Sequence, residues 1–267
     1  MNLDNFKNYL KISIDTKNSR KNYFNRVKCF FDQYSELTQE NFNKYLASKI
    51  DDNMSRSTFN QTMTAFRHYF KASGEEVLLP KYKKVQQKEK DFLTEKEFKY
   101  ILWYVPRIFD KNPLFYHFIL RMLFYTGIRP DELVNLKSND IDFDNQIFIV
   151  RNTKNGRDKK VPFPKHLIRD MHVYMNGSGN VNAYNISYGM ILNIITRINT
   201  ELAYKKKLNP YMLRHSYARH MLVKGIPIEK LQILMGHSDL KTTLIYAKPR
   251  VEDAIHDYFK KMDRATY

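Results

Sequence analysis

The sequence contains only one cysteine, Cys29, among its 267 residues. A single thiol excludes an intramolecular disulfide and any metal site built from several cysteines. Because Cys29 lies in an amphipathic stretch, we expect it to be a small buried hydrophobic residue.

Long hydrophobic runs are also lacking. The most apolar stretch, residues 115–128, is interrupted by His117 and Arg121 and is too short to span a bilayer. No signal peptide is recognisable, so we expect a cytoplasmic protein without a membrane partner.

Acidic residues are in the minority. The chain has 45 Lys and Arg residues against 28 Asp and Glu residues, which gives a formal net charge of +17. Residues 1–90 carry 17 basic and 10 acidic side chains, and residues 91–267 carry 28 and 18. A surplus in both parts favours a polyanionic partner, nucleic acid above all, although a merely basic soluble protein is the alternative.

Apolar spacing predicts a helical N-terminal domain over residues 1–79. Apolar residues recur at helical spacing in three stretches, with a shorter helix near Phe6–Leu10, and Gly74 is a plausible helix stop. The three stretches are Asn22–Tyr34, Phe42–Ile50 and Phe59–Phe70. Residues 80–91 contain five lysines and no apolar period, which is typical of a solvated basic linker that could also lie near phosphates.

Residues 92–267 have the pattern of a second, mixed α+β domain. Thr94 and Glu97 form a capping-box pattern, and the helix over residues 114–125 should stop at Gly127. Residues 146–150 and 159–163 flank Asn155-Gly156, which predicts a β-hairpin. The rest of the domain reads as helical. The expected fold class is therefore mainly α with a small β-hairpin or sheet.

Two local patterns place cations in turns. Residues 126–133, TGIRPDEL, put Arg129 at a helix N-terminus, where Glu132 can hold its guanidinium. A surface ion pair is the alternative. At the hairpin tip, residues 153–160, Lys154 could enter a DNA groove, although a solvated basic turn is the simpler interpretation.

Two further patterns lie near the C-terminus. Residues 209–220 place Tyr211, Arg214 and His215 near the first turn of a helix, with Arg214 and His215 pointing apart. A glycine-separated second helix follows, as in a helix-turn-helix, so a DNA-binding regulator stays in consideration. Residues 234–246 contain His237 and, nine residues later, Tyr246. With 19 tyrosines in the chain, a packed core tyrosine is the alternative at residue 246.

The order of these patterns points to phosphoryl transfer. Two arginines, a lysine and a histidine around a phosphate, with a hydroxyl nucleophile, are what this chemistry requires without a metal ion. The sequence offers no carboxylate cluster for Mg²⁺, so fixed cations must stabilise the developing charge. We therefore expect no cofactor and no metal.

The four motifs together resemble the tyrosine recombinase or phage integrase family, and its short Xer-like members most closely. TGIRPDEL is similar to the first-arginine motif, the Lys154 turn to the catalytic-lysine hairpin, and LRHSYARHML to the second-arginine motif. MGHSDLKTTLIYA resembles the closing His-to-Tyr motif. The resemblance implies a two-domain, C-shaped clamp on double-stranded DNA, with a helical core-binding domain and a mixed α+β catalytic domain.

The resemblance also implies a role for each site residue. Tyr246 would attack the scissile phosphate and form a 3′-phosphotyrosine, while Arg129 and Arg214 hold the nonbridging oxygens. Lys154 would protonate the leaving 5′-oxygen, and His237 would hydrogen-bond the phosphate. Bond energy would be kept in the phosphotyrosine, so neither ATP nor a metal ion would be needed.

One position departs from the family pattern. The family usually has a histidine three residues before the second arginine, where this chain has Tyr211. A phenol can donate a hydrogen bond to phosphate, but it accepts protons poorly near neutral pH because its ordinary pKa is about 10. Either water or His237 takes the proton of Tyr246, or the enzyme is slow.

The tail after Tyr246 and the biological role leave alternatives open. The tail either packs within its own subunit or docks onto a neighbouring protomer in a synaptic tetramer, which the resemblance favours. Its apolar face comprises Val251, Ala254, Ile255, Tyr258 and Phe259. A type IB-like topoisomerase, a telomere resolvase and a non-enzymatic helix-turn-helix regulator are the rival functions. The sequence does not distinguish chromosome-dimer resolution from integration of a mobile element, and the short length favours simple Xer-like recombination.

Overall fold

The computed structural model describes residues 3–85, 91–151, 158–202, 206–237, 239–247, 255, 258–259 and 262. The chain divides into two compact units, Met1–Lys88 and Glu89–Tyr267. Each unit has a hydrophobic core of its own. None of the helices in the described ranges is long and apolar enough to cross a membrane.

The first unit is helical throughout its regular structure. Its helices are α1 (Leu3–Ser13), α2 (Lys17–Phe31), α3 (Gln39–Asp51) and α4 (Arg56–Ser73). The side chains of Thr16, Thr38 and Ser55 each accept a backbone N–H three residues on, which starts α2, α3 and α4. The core is rich in fully buried aromatic rings: Phe6, Phe30, Phe42, Phe66 and Tyr69. The helices predicted from apolar spacing are confirmed.

Cys29 is exposed, so the expectation that it is buried is wrong. Helix α2 buries Val27 and Phe30 instead. Successive residues of an α-helix are rotated by about 100°, so residue 29 points well away from both of these buried neighbours. The amphipathic pattern identified the helix, but it assigned this residue to the wrong face.

The chain after α4 runs back along the first unit. The side-chain amide of Asn60 donates to the carbonyl of Lys83 and accepts the backbone N–H of Lys83, both at 2.8 Å. The Arg67 guanidinium stacks 4.1 Å from the centroid of the Tyr82 ring. The first residues of the stretch that the sequence analysis treats as a linker are therefore held against α4.

The second unit combines helices with a small sheet. Its helices are α5 (Glu95–Ile108), α6 (Pro113–Thr126), α7 (Pro130–Asn135), α8 (Ile168–Tyr174), α9 (Tyr188–Leu202), α10 (Pro210–Val223), α11 (Ile228–Met235) and α12 (Lys241–Leu244). The predicted capping box at the start of α5 is present, since the Thr94 backbone N–H donates to Glu97 at 2.7 Å. Helix α6 is buried on several sides, and α10 packs against it.

The sheet confirms that the two predicted strands of the hairpin pair, and it adds a short strand. The predicted turn at Asn155-Gly156 lies outside the described residues. Strands β1 (Ile141–Asp142), β2 (Ile147–Val150) and β3 (Lys159–Pro162) are antiparallel in that order. Phe148 lies opposite Val161, and both face the core. Strand β1 has only two residues, too few for alternation to reveal it in the sequence. The fold class is mainly α with a small sheet, as predicted.

Gly127 ends α6 and leaves no room for a side chain. Its φ is +63°, and a Cβ there would lie 2.3 Å from Cδ1 of Tyr217.

We expect Gly127→Ala to lower the free energy of unfolding by about 3 kcal/mol, because left-handed backbone and overpacking each cost roughly 1–3 kcal/mol. Gly225→Ala is the control. Its φ is +87° with open space around the Cβ, so it should cost about 1 kcal/mol. Equal losses in urea denaturation would contradict the steric argument.

Candidate active site

Arg214 is the most buried cation of the site. Helix α10 begins with Pro210 at its first position and with the Asn209 side chain accepting a backbone N–H of the first turn. This start carries Arg214 into the interior, where it is only 3% exposed. Its guanidinium donates from Nη1 to the Gly127 carbonyl and from Nη2 to the Met235 carbonyl, each at 2.5 Å. One buried cation thereby joins the ends of α6 and α11.

Arg129, at the start of α7, reaches the turn that follows α11. It stands immediately before α7, and Glu132 accepts its backbone N–H at 2.9 Å and its Nη1 at 2.6 Å. Its Nη2 points to the carbonyl of Gly236 at 3.4 Å. The two guanidinium groups therefore meet at the turn that follows α11. Burial, and next the charge of Arg129, lower the pKa of Arg214 to about 10, so Arg214 is still charged at neutral pH.

Lys159 is a third cation, buried beneath the arginines. Its Nζ lies 2.9 Å from Oε2 of Glu132, so Glu132 binds both Lys159 and Arg129. Burial lowers the pKa of Lys159 to about 8, although the charge of Glu132 opposes this shift. Burial raises the pKa of Glu132, but the charge of Lys159 and the contacts with Arg129 outweigh it and leave that pKa below its ordinary value. A Cβ on Gly236 would lie 2.6 Å from Cδ of Lys159, so this close packing depends on glycine.

His237 is held as a neutral imidazole. Its Nε2 lies 3.3 Å from Nη2 of Arg214, and its Nδ1 lies 2.8 Å from the hydroxyl of Thr243. Because a guanidinium only donates, Nε2 must accept, and the ring hydrogen therefore sits on Nδ1. Burial, reinforced by the charges of Arg214 and Arg129, lowers the pKa of His237 to about 4.

Tyr246 presents a buried phenol to this group. It lies two residues beyond α12 and is 7% exposed. Its hydroxyl lies 2.7 Å from Nδ1 of His215, and its backbone carbonyl accepts Nη1 of Arg219 at 2.8 Å. Burial raises the pKa of Tyr246, while the charges of the two site arginines lower it. The phenol is therefore protonated at neutral pH and lies within the electrostatic field of both arginines.

The structure brings together four of the six residues that the sequence analysis proposed. These are Arg129, Arg214, His237 and Tyr246. Tyr211 is 40% exposed and precedes Arg214 by three residues, which places the two on the same side of α10. Lys154 lies outside the described residues, in the connection between β2 and β3.

Four polar residues of the site received no role from the sequence alone, although His215 was noted beside Arg214. They are Lys159, His215, Arg219 and Thr243. Lys159 shares the inward face of β3 with the core residue Val161, so strand alternation could have identified it. His215 and Arg219 are four residues apart on α10, and helical spacing could have placed them on one face. Thr243 offers no local signal.

The arrangement can bind an anion and present a hydroxyl to it. Two guanidinium groups suit the oxygens of a phosphate because each can donate two parallel hydrogen bonds. Their anchoring to carbonyls and to Glu132 fixes their positions before a ligand arrives. Among the residues that the structure describes, no group of three or more His, Cys, Asp or Glu side chains could hold a metal ion.

The low pKa of His237 predicts a pH-dependent stability. The pKa falls from an ordinary value of 6.5 to about 4 on folding, so the unfolded chain binds more protons in this window. The stability linked to His237 is complete above pH 6.5 and is lost as the pH falls towards 4. Because the ring is partly exposed, we expect a loss of about 1–2 kcal/mol. His237→Asn should flatten this part of the pH profile of unfolding, and the exposed His172→Asn should not. Equal slopes for His237→Asn and wild type would contradict the assignment.

Comparison with known sequences identifies relatives over most of the chain. Residues 91–253 match the model of the phage integrase family. Tyrosine recombinase XerA of Pyrococcus horikoshii is 31% identical over 257 residues, which cover 92% of this chain and 88% of that protein. Tyrosine recombinase XerA of Thermococcus onnurineus is 29% identical over 263 residues, which cover 94% of this chain and 91% of that protein.

Solved structures share the fold. The Tn1549 transposon integrase in complex with a circular intermediate DNA has a TM-score of 0.69 at 18% identity, and the match covers 97% of this chain and 98% of that one. A crystal structure of XerA recombinase has a TM-score of 0.53 at 22% identity, and the match covers 99% of both chains. The family match, these relatives and the grouped Arg, His and Tyr residues agree, and the chain therefore belongs to the phage integrase family of tyrosine recombinases.

Proposed function

We propose that Tyr246 is the nucleophile with which this tyrosine recombinase cuts and rejoins DNA at specific sites. The observation that carries the proposal is a buried phenol whose ring stacks against that of His237, with centroids 6.4 Å apart, while His237 itself lies 3.3 Å from the guanidinium of Arg214. Attack of its oxygen on the scissile phosphorus forms a 3′-phosphotyrosine and frees a 5′-hydroxyl. The 5′-hydroxyl of a partner strand reverses the step, and no external energy source is required because the phosphoester bond is conserved.

The two arginines hold the nonbridging oxygens of the scissile phosphate in this proposal. Arg214 is positioned by two backbone carbonyls and Arg129 by Glu132, so neither guanidinium has to reorganise when charge develops. His237 lies 3.3 Å from Arg214. When the phosphate replaces that contact, the ring is proposed to carry its hydrogen on Nε2 and donate it to the phosphate, while Nδ1 accepts from the hydroxyl of Thr243. Preorganised donors of this kind contribute most where water is excluded, as around the buried Arg214.

Lys154 is the proposed general acid for the leaving 5′-oxygen. Lys159, five residues later, is anchored by its 2.9 Å bond to Glu132. Strand β3 therefore begins at a residue bound within the site and pairs with β2, and the segment that contains Lys154 connects these two strands in the sequence. A lysine suits this step because its ammonium carries a transferable proton, whereas a guanidinium gives up its proton far less readily.

Tyr211 takes the position of the family histidine and, in this proposal, its function as a hydrogen-bond donor to the phosphate. It lies one helical turn before Arg214 and is 40% exposed, so an incoming ligand can reach its side chain. Its phenol can donate one hydrogen bond, but it is a poor proton acceptor near neutral pH. Removal of the proton from Tyr246 therefore falls to another group.

Double-stranded DNA is the proposed partner. The formal charge of +17 supports this proposal, as do fold neighbours such as the XerH recombinase bound to its difH substrate. In this proposal residues 1–79 form the core-binding domain, residues 80–91 the basic linker and residues 92–267 the catalytic domain. The cytoplasm is the proposed location.

A synaptic tetramer is the proposed assembly, with each C-terminal tail docked onto a neighbouring protomer. Ile255, Tyr258 and Phe259 support this role because each is large, apolar and at least half exposed. Exposed apolar groups of this size favour contact with another surface. Exchange of tails would link four active sites around two DNA duplexes, which strand exchange between sites requires.

Removal of one oxygen atom tests the nucleophile. Tyr246→Phe keeps the ring that packs in the core but should form no SDS-stable adduct with a suicide DNA substrate, because the attacking atom is gone. DNA binding, measured by gel shift, should be unchanged. Tyr100→Phe, at an exposed tyrosine of α5, is the matched control and should form the adduct as wild type does. An adduct with Tyr246→Phe would assign the nucleophile to another residue.

A sulfur substitution in the DNA tests Lys154. Lys154→Ala should slow cleavage of ordinary DNA by roughly 10²–10⁴-fold, the usual contribution of a general acid. DNA with a 5′-bridging sulfur should be cleaved by Lys154→Ala nearly as fast as by wild type, because a thiolate leaves without a proton. Lys160→Ala, at an exposed lysine of β3, is the control. An equal loss on both substrates would show that Lys154 is not the acid.

A further inference from the structure

The hydroxyl of Tyr246 has a specific partner that the roles above do not use. Nδ1 of His215 lies 2.7 Å from Oη of Tyr246, well within hydrogen-bond distance. The centroids of the two rings are 5.4 Å apart, and their planes are tilted by 44°. His215 therefore touches the atom that would attack the phosphate.

The phenol needs such a partner because it is protonated. Burial raises the pKa of Tyr246, and the opposing charges of Arg214 and Arg129 do not cancel that effect. A neutral phenol attacks phosphorus poorly, so its proton has to leave as the new bond forms. A base within one hydrogen bond of the oxygen is the simplest solution.

The other candidates for this base are poorly suited. Tyr211 is itself a phenol. Both ring nitrogens of His237 are engaged, Nε2 with Arg214 and Nδ1 with Thr243. Burial and neighbouring cations hold the pKa of His237 at about 4, which makes it a weak proton acceptor.

We propose that His215 is the general base that takes the proton of Tyr246 during DNA cleavage. The proposal rests on Tyr246 as the nucleophile. With its hydrogen on Nε2, His215 accepts the phenolic proton at Nδ1 while the Oη–P bond forms and the P–O5′ bond breaks. Lys154 supplies the proton that the 5′-oxygen takes up. In the reverse direction the imidazolium of His215 returns its proton to the departing oxygen of Tyr246.

Charged and titratable groups approach His215 from its own helix and from the turns after α11 and α12. Tyr246 faces it from the turn after α12, and the charge of His215 also acts on His237 in the turn after α11. On its own helix, Arg214 points to the carbonyls of Gly127 and Met235, and Arg219 donates to the backbone of Tyr246.

Two substitutions distinguish a base from a mere hydrogen-bond partner. His215→Asn places an amide near the position of Nδ1 and keeps a hydrogen bond to Tyr246, but it cannot accept a proton. His215→Phe removes both functions. His172→Asn, at an exposed histidine of α8, is the control. The measured quantity is the single-turnover rate of adduct formation on suicide DNA across a range of pH, with gel shift to verify DNA binding.

At neutral pH we expect both His215 variants to be slower than wild type by roughly 10²–10⁴-fold. The wild-type rate should level off above the range where imidazoles ordinarily titrate, near pH 6.5. The rate of His215→Asn should instead keep rising about tenfold per pH unit, as hydroxide replaces the base. A His215→Asn rate equal to that of wild type, or a slow rate with the wild-type pH profile, would overturn the proposal in favour of positioning alone.

The 5′-bridging sulfur substrate provides an independent comparison. It should rescue Lys154→Ala but leave His215→Asn slow, because the phenol still has to lose its proton. Rescue of both variants would also overturn the assignment. Failure of the proposed function looks different: wild type would form no adduct, or Tyr246→Phe would form one, whatever residue stands at position 215.

Discussion

The buried guanidinium of Arg214 is the interaction on which the active site depends. A buried charge without partners costs several kcal/mol, so Arg214 can stay in the interior only because carbonyls accept its N–H groups. Those carbonyls belong to Gly127 and Met235, at the ends of two different helices. The same bonds that stabilise the cation therefore fix the turns that carry Arg129 and His237. Loss of either carbonyl would disturb the whole site.

Two glycines with left-handed backbone conformations allow the close packing that the site around Arg214 also requires. Gly127 lies against the ring of Tyr217, and Gly236 lies against the stem of Lys159. A side chain at either position would separate segments that the arginines hold together. Both glycines end helices, so the chain turns sharply where the carbonyls are needed. Backbone geometry and electrostatics thus depend on the same few residues.

The concentration of cations explains the protonation states of the site. Lys159, Arg129 and Arg214 lie around one carboxylate, Glu132, and together they favour an anionic ligand. The same field keeps His237 neutral, because a further positive charge would be repelled.

The sequence by itself determined the helices, the hairpin, the capping box and the order of the four motifs, because these depend on residues only a few positions apart. It also indicated Arg129, Arg214, His237 and Tyr246 as one group through a family resemblance. Only the tertiary structure decided that Lys159 is buried under Glu132 and that Tyr246 contacts His215. Those contacts join residues 27 and 31 positions apart, and they exist only because packing of α10, α11 and β3 removes water and brings the side chains within hydrogen-bond distance.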